Sequence, residues 1–313
     1  MKNHQRIISF LPGATEMIYT LNLADRLVGV THECDFPLEA RNKPVVVRSA
    51  IPVDSMSSGE INKAVGEYLK QGKSLYQIDE KLLQSLAPDL IVTQDLCLVC
   101  APSGNEAEQV LKTLPSKPDI LWLTPKSLED IFDNIHDLGC ATGRVKEAEE
   151  FIASGKARIE KIREKTRRLT DRPRVFCMEW VDPVYGSGHW IAGLIEMAGG
   201  EDRLSRKGSD SVRVSWEDVT DWDPEVIIVA LCGINLEKAL TESVQLLSYP
   251  GWSMITAVKT KRVFIVDANS YLVRPGPRVI EGGELLAYLI HPDLFQENSE
   301  KLWLMNAWLP LPV

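Results

Sequence analysis

Cysteine is scarce, with six in 313 residues. That is far below the density of a small disulfide-stapled scaffold, so the thiols are expected to be reduced. Long apolar runs are missing as well. No stretch approaches 18 apolar residues, so no segment is expected to span a membrane. Net positive charge is also lacking. Lys and Arg total 35 against 44 Asp and Glu, a formal charge of −9, and that balance disfavours general nucleic-acid binding. Hydrophobic residues at 44% and charged ones at 25% match ordinary globular chains, which excludes disorder, collagen and coiled coil. The N-terminus shows no readable export signal. The apolar run Ile7–Leu11 is stopped by Pro12-Gly13, whereas a secretory core needs ~7–15 apolar residues. A cytoplasmic location is therefore expected, or a periplasmic one if a leader has been removed.

Familiar catalytic signatures are absent too. Gly66–Ser74 (GEYLKQGKS) has the wrong glycine spacing for a phosphate-binding loop, and no strand precedes it. Gly186-Ser187-Gly188 lacks the third glycine of a dinucleotide fingerprint. There is no Gly-x-Ser-x-Gly elbow and no His-Glu-x-x-His. His32-Glu33-Cys34 with Cys97-x-x-Cys100 departs from the zinc-deaminase pattern, which needs His-x-Glu and then Pro-Cys-x-x-Cys. No acid/base pair offers itself, so an enzyme is not expected.

What is present is alternation. Strands are expected at Arg6–Phe10, Leu27–Val30, Pro44–Val47, Leu90–Thr93 and Ile120–Leu123. Helices are expected at Thr15–Leu23, Asp79–Leu86 and Glu106–Leu114, with Glu16 in the first turn of the first. Such alternation predicts parallel sheets covered on both faces. From Ser127 to about Thr170 the strand signal stops. Gly143–Thr170 reads as one long helix rich in Ala, Glu, Lys, Arg and Ile. Strands resume at Arg174–Met178, Val226–Leu231 and Val263–Val266, with helices at His189–Ala198, Leu236–Gln245 and Glu281–Ile290. The expected organisation is an N-terminal α/β lobe over 1–142, a connecting helix over 143–170 and a C-terminal α/β lobe over 171–313. At ~150 residues each, both lobes are long enough to bury their own cores.

Ser9–Glu16 (SFLPGATE) follows the first strand and opens the first helix. Turns of this kind lie at the carboxyl ends of strands, where α/β sheets bind ligands, and the turn Pro12, Gly13, Ala14 and Thr15 brings backbone N–H groups of its last three residues there. Gly29–Pro37 (GVTHECDFP) follows the second strand. Together, SFLPGATEMIYTLNLADRLVGVTHECDFP resembles the opening of ABC-transporter substrate-binding proteins for cobalamin and iron–siderophore chelates, the helical-backbone metal receptors. The likeness continues through LLQSLAPDLIV at Leu82–Val92, GHWIAGLIEMAGG at Gly188–Gly200, DPEVIIV at Asp223–Val229 and RPGPR at Arg274–Arg278.

The resemblance implies two Rossmann-like α/β lobes joined by one long helix, the class III periplasmic-binding-protein architecture. It also implies a ligand in the cleft between them and acidic residues that dock on arginines of a transporter permease. Glu196 and Glu80 are the positions that answer to those docking residues, Glu80 with its register off by one. Trp180, His189 and Trp190 cluster after a strand, where aromatic rings suit stacking on a flat macrocycle. By resemblance, Tyr271 and Arg274 are expected to meet polar parts of the ligand.

The thiols depart from that family. Cys34, Cys97, Cys100 and Cys232 all follow predicted strands, whereas Cys140 and Cys177 read as small buried hydrophobes. Cys97-x-x-Cys100 has the spacing with which two thiolates hold one soft metal. Cys34 or His32 would add a third ligand and Cys232 a fourth, a set suited to zinc or an iron–sulfur cluster. A redox disulfide between Cys97 and Cys100, or inert thiols, are the alternatives. The leading expectation is a non-enzymatic binding protein for a corrinoid or a metal chelate, with a permease as partner. The alternatives are a cytosolic metal or cluster carrier of the same fold and a thiol oxidoreductase using Cys97 and Cys100.

Overall fold

Among the described residues, short apolar runs become the strands of two six-stranded sheets. The structure, a computed structural model, describes residues 3–95, 114, 117–298, 301 and 306–311. The chain divides into two compact units. The first takes Met1–Pro125, Glu129–Ser154 and Pro275–Pro277; the second takes Lys126–Leu128, Gly155–Arg274 and Arg278–Val313.

In the first unit the strands are β1 (Ile7–Ser9), β2 (Leu27–Thr31), β3 (Val45–Ser49), β4 (Tyr76–Ile78), β5 (Leu90–Thr93) and β6 (Asp119–Trp122), ordered β4-β3-β2-β1-β5-β6. Pairing is parallel except between β3 and β4. β1 lies between β2 and β5, so the chain crosses from one side of β1 to the other and leaves a crevice at the carboxyl ends. Ile8, Phe10, Val46, Val47, Leu83 and Ile91 pack as one buried cluster.

In the second unit the strands are β7 (Val175–Val181), β8 (Val184–Gly186), β9 (Val212–Arg213), β10 (Val226–Val229), β11 (Val263–Val266) and β12 (Trp308–Pro310), ordered β12-β11-β10-β7-β8-β9. Only β7–β10 and β10–β11 are parallel; β7–β8, β8–β9 and β11–β12 are antiparallel. The expectation of parallel sheets therefore holds for the central strands and fails at the edges. β4, β8, β9 and β12 have two or three residues each. Segments that short carry no alternation to read, and it is the neighbouring strand that makes them strands. The central strands β5 and β10 are buried at every residue, as sheets covered on both faces require.

Helix ends moved for local reasons. The first helix is Pro12–Thr20 rather than Thr15–Leu23, because proline is tolerated at the first helical position. Glu16 thus falls beyond the first turn and is buried at 4% exposure. The helix expected from His189 is Ile191–Met197, since His189 sits at φ +49 and cannot be helical. The long mid-chain helix is Val145–Thr166, and Gly143 at φ +73 separates it from the helix Leu128–Thr142. Residues 145–154 belong to the first unit and 155–166 to the second. The helix expected at Glu106–Leu114 lies outside the described residues apart from Leu114.

A partly buried ion network, centred on buried Glu284, ties the second half of this helix to its own unit. Arg158 donates to Glu281 at 2.8 Å and to both carboxylate oxygens of Glu284 at 2.9 Å, and Lys301 donates to Glu284 at 2.5 Å. Burial pushes the Glu284 carboxyl up, but the hydrogen bonds from Arg158 and Lys301 outweigh it and hold the group below its usual range.

Candidate functional site

In each unit the candidate residues collect in loops at the carboxyl ends of the central strands. In the first unit β1 ends at Ser9, whose hydroxyl donates to the Leu11 carbonyl at 2.7 Å and turns the chain into Pro12. Pro12, Gly13, Ala14 and Thr15 are all buried. A Cβ at Gly13 would lie 2.4 Å from the Pro275 carbonyl oxygen, so only glycine permits that approach. The N-cap residue, Leu11, makes no side-chain cap of this helix start.

Thr15 and Cys34 face each other. The Thr15 hydroxyl donates to Cys34 Sγ at 3.0 Å, and Thr31 Oγ1 lies 3.5 Å from the same sulfur. Cys34 is 3% exposed. The expected open ligand position is therefore a buried thiol between two hydroxyls, which fastens the loop after β2 to the first helix. Two residues further on, Phe36 is an exposed aromatic before a cis proline at Pro37. It was missed as a candidate because a lone aromatic beside proline reads as loop packing. His32 bonds through Nδ1 to the Val47 carbonyl at 3.3 Å. Cys97 and Cys100, which should follow β5, lie outside the described residues. Among the described residues no three His, Cys, Asp or Glu side chains converge on a common cation position.

In the second unit three loops are stitched together. The Cys232 amide donates to the Glu179 carbonyl at 3.3 Å, linking the ends of β10 and β7. The Gly233 amide donates to Asn269 Oδ1 at 3.0 Å, linking β10 to β11. The Trp190 indole donates to the Leu272 carbonyl at 2.7 Å, linking the Gly188–Trp190 turn to the loop after β11. These bonds bring Trp180, His189, Trp190, Cys232 and Tyr271 to one end of the unit. Trp190 departs from the expectation of an open stacking face. It is 5% exposed and its N–H is already used, so it positions the turn from beneath. Trp180 is half-buried, with its indole donating to the Asp182 carbonyl at 3.0 Å. Cys232 is half-buried.

His189 holds a left-handed backbone, which is uncommon outside glycine and clusters at functional sites. Its Nε2 lies 3.1 Å from Asp210 Oδ1. Burial lowers the His189 pKa, with Asp210 opposing. The turn is held from below by Glu179, which accepts from the Gly188 amide at 3.1 Å and from the Ser211 hydroxyl. Burial pushes the Glu179 carboxyl up. A charged residue inside the apolar strand VFCMEWV was the signal in the sequence for this group. Tyr271 and Arg274 are both half-buried, and the Tyr271 ring lies 5.9 Å from the Arg278 guanidinium.

The two acidic docking candidates are both exposed. Glu80 opens the helix Glu80–Leu86, whose start is capped by Asp79. Glu196 lies on the helix Ile191–Met197 and pairs with Lys207 at 2.6 Å.

Residues 7–270 match the family model described as periplasmic binding protein. An uncharacterized ABC transporter substrate-binding lipoprotein of Bacillus subtilis is 28% identical over 305 residues, covering 95% of this chain and 83% of that one. A vitamin B12-binding protein of Vibrio parahaemolyticus is 26% identical over 279 residues, covering 88% and 86%. Among solved structures, a periplasmic heme-binding protein from Roseiflexus sp. RS-1 superposes with a TM-score of 0.69 at 20% identity, covering 94% of this chain and 100% of that one.

Proposed function

Because the chain belongs to the periplasmic binding protein family, we propose that it is the substrate-binding component of an ABC importer, acts outside the cytoplasmic membrane and takes a corrinoid of the cobalamin type. It is a binding protein and not an enzyme, which sets it apart from a thiol oxidoreductase, and its relatives give no support to a cytosolic carrier. The location follows the relatives, which include a lipoprotein of this class, and replaces the cytoplasmic expectation. No helix among the described residues is long and apolar enough to cross a membrane.

The observation that carries the ligand class is the likeness to a vitamin B12-binding protein along nearly nine-tenths of the chain. The chemistry of the loops supports it. Trp180, His189 and Tyr271 offer aromatic surface around the strand ends of the second unit, and Phe36 offers it in the first. Large, sparsely charged rings suit such surfaces, through area and stacking rather than many ion pairs. The fold does not itself choose among macrocycles, since a heme-binding protein has it too. Pro12–Thr15 would contribute backbone groups and Arg274 a charge for a peripheral carboxylate or phosphate. Exposed Glu80 and Glu196 are read as the carboxylates that meet permease cations.

Calorimetric titration of the purified chain with cyanocobalamin tests this, with haemin and a ferric hydroxamate as comparators. Saturable 1:1 binding of cobalamin, weakened in Trp180→Ala, is the expected result. Binding of a comparator without cobalamin binding would overturn the ligand class and leave the importer reading intact.

A further inference from the structure

Cys140 was expected to be a buried small hydrophobe, but it is half-exposed and has a partner. It sits one helical turn after His136 on the helix Leu128–Thr142. That helix turns Leu128, Ile131, Phe132, Ile135 and Leu138 into the core. His136 and Cys140 lie together on a partly exposed stripe. Cys140 Sγ is 3.7 Å from His136 Nδ1 and 3.9 Å from Nε2.

We propose that His136 and Cys140 form a two-ligand site for a borderline-soft divalent cation such as zinc. The spacing suits the ion. A tetrahedral zinc with sulfur at ~2.3 Å and nitrogen at ~2.0–2.1 Å holds those two atoms ~3.6 Å apart. The Nδ1 distance is close to that value, but the near-equal distances to Nδ1 and Nε2 set the sulfur against the ring, so the imidazole must turn about its Cβ–Cγ bond to aim a nitrogen at the ion. The helix supplies the i, i+4 spacing that pairs of metal ligands use elsewhere. Exposed Asp133 and Asp137 stand three residues before His136 and Cys140, on the same stripe. Their charge favours a cation over a neutral molecule. No third protein ligand converges among the described residues, so water completes the coordination. On binding, the Cys140 thiol loses its proton to solvent, its sulfur bonds the cation, and neutral His136 gives a ring nitrogen lone pair.

The site stands apart from the loops that follow the strands. The carbonyl of Thr142, two residues on, accepts from Arg26 Nη1 at 2.9 Å, and Arg26 also bonds Asn3 Oδ1 at 2.7 Å. That end of the helix therefore lies beside the chain entering β1. The candidate ligand loops follow the opposite, carboxyl ends of the strands.

The test is an anaerobic titration of the full chain with cobalt(II), read by thiolate-to-cobalt charge-transfer absorption in the near ultraviolet. Cys97→Ser and Cys100→Ser are introduced first, so that the Cys-x-x-Cys pair cannot supply the band. The band should appear in that background, and His136→Ala and Cys140→Ser should each weaken binding by more than about tenfold, beyond what outer-shell changes bring at the low end. Circular dichroism checks that both variants keep the helix, and Cys140→Ala serves if the serine variant does not fold. Absence of the band overturns the proposal, as does a band that survives both substitutions or disappears only with Cys232→Ser.

Discussion

Asp202 gives the sharpest test of the second unit. Its carboxylate accepts four hydrogen bonds, from the amides of Cys177 at 3.0 Å, Leu204 at 2.9 Å and Ser205 at 3.1 Å and from the Ser205 hydroxyl at 2.6 Å. Ser205 in turn accepts from the Ser187 amide and hydroxyl. The group thus ties β7 to the turn that leads to His189. No salt bridge to it is found among the described residues, and burial raises its pKa from 3.8 to about 6, against the pull of those donors. The folded state therefore holds the proton more tightly than the unfolded chain. By linkage, stability from this group rises as the pH falls through about 6 and levels off below the unfolded value. Integrating those two values gives about 1.4 kcal/mol between pH 7.5 and pH 5, within a limit of about 3 kcal/mol at complete protonation. Other groups work the other way, including Glu284 and Asp223, whose pKa values are lowered, and half-buried His189 and His291, whose pKa values are lowered by desolvation. The comparison must therefore be between variants. Asp202→Asn removes the titration but turns an NH2 toward two of the former donors. Urea unfolding followed by tryptophan fluorescence reports this unit, since Trp180, Trp190, Trp216, Trp222 and Trp252 all lie in it. The asparagine variant should cost about 1.4 kcal/mol more at pH 5 than at pH 7.5. An equal cost at both values, or a larger one at pH 7.5, would refute the reasoning that burial outweighs the four donors.

Glu284→Ala should destabilise the second unit by about 1–3 kcal/mol in the same assay, because it removes the carboxylate shared by Arg158 and Lys301 while Arg158 keeps Glu281. The loss should persist in high salt, where an exposed pair would already be screened. Gly13→Ala should lower the stability of the first unit by more than about 1 kcal/mol, since its Cβ would meet backbone rather than a movable side chain; proteolysis rates would show this. Trp190→Phe should cost about 1–3 kcal/mol by orphaning the Leu272 carbonyl. It should weaken cobalamin binding no more than it weakens the fold, if Trp190 acts from beneath the turn.

The central strands were legible because they are buried on both faces, so apolarity alone marks them; Val263–Val266 is identical in sequence reading and structure. Family membership was legible in the ordered segments from Ser9 to Arg278, each a local string. The edge strands were not legible, because β9 and its like are made by a neighbour's hydrogen bonds. Side-chain orientation also lay beyond the sequence. The sequence marks Cys34 and Trp190 only by their place after strands, and only the folded unit turns the thiol toward Thr15 and Thr31 and the indole toward Leu272. Glu179 and Asp202 became visible as a supporting shell only when residues far apart in the chain were brought together around β7. Periodicity records how much of a residue is buried, because burial sets which side chains the chain can tolerate. It does not record which partner a polar atom meets, because that depends on distances across the fold that no local pattern contains.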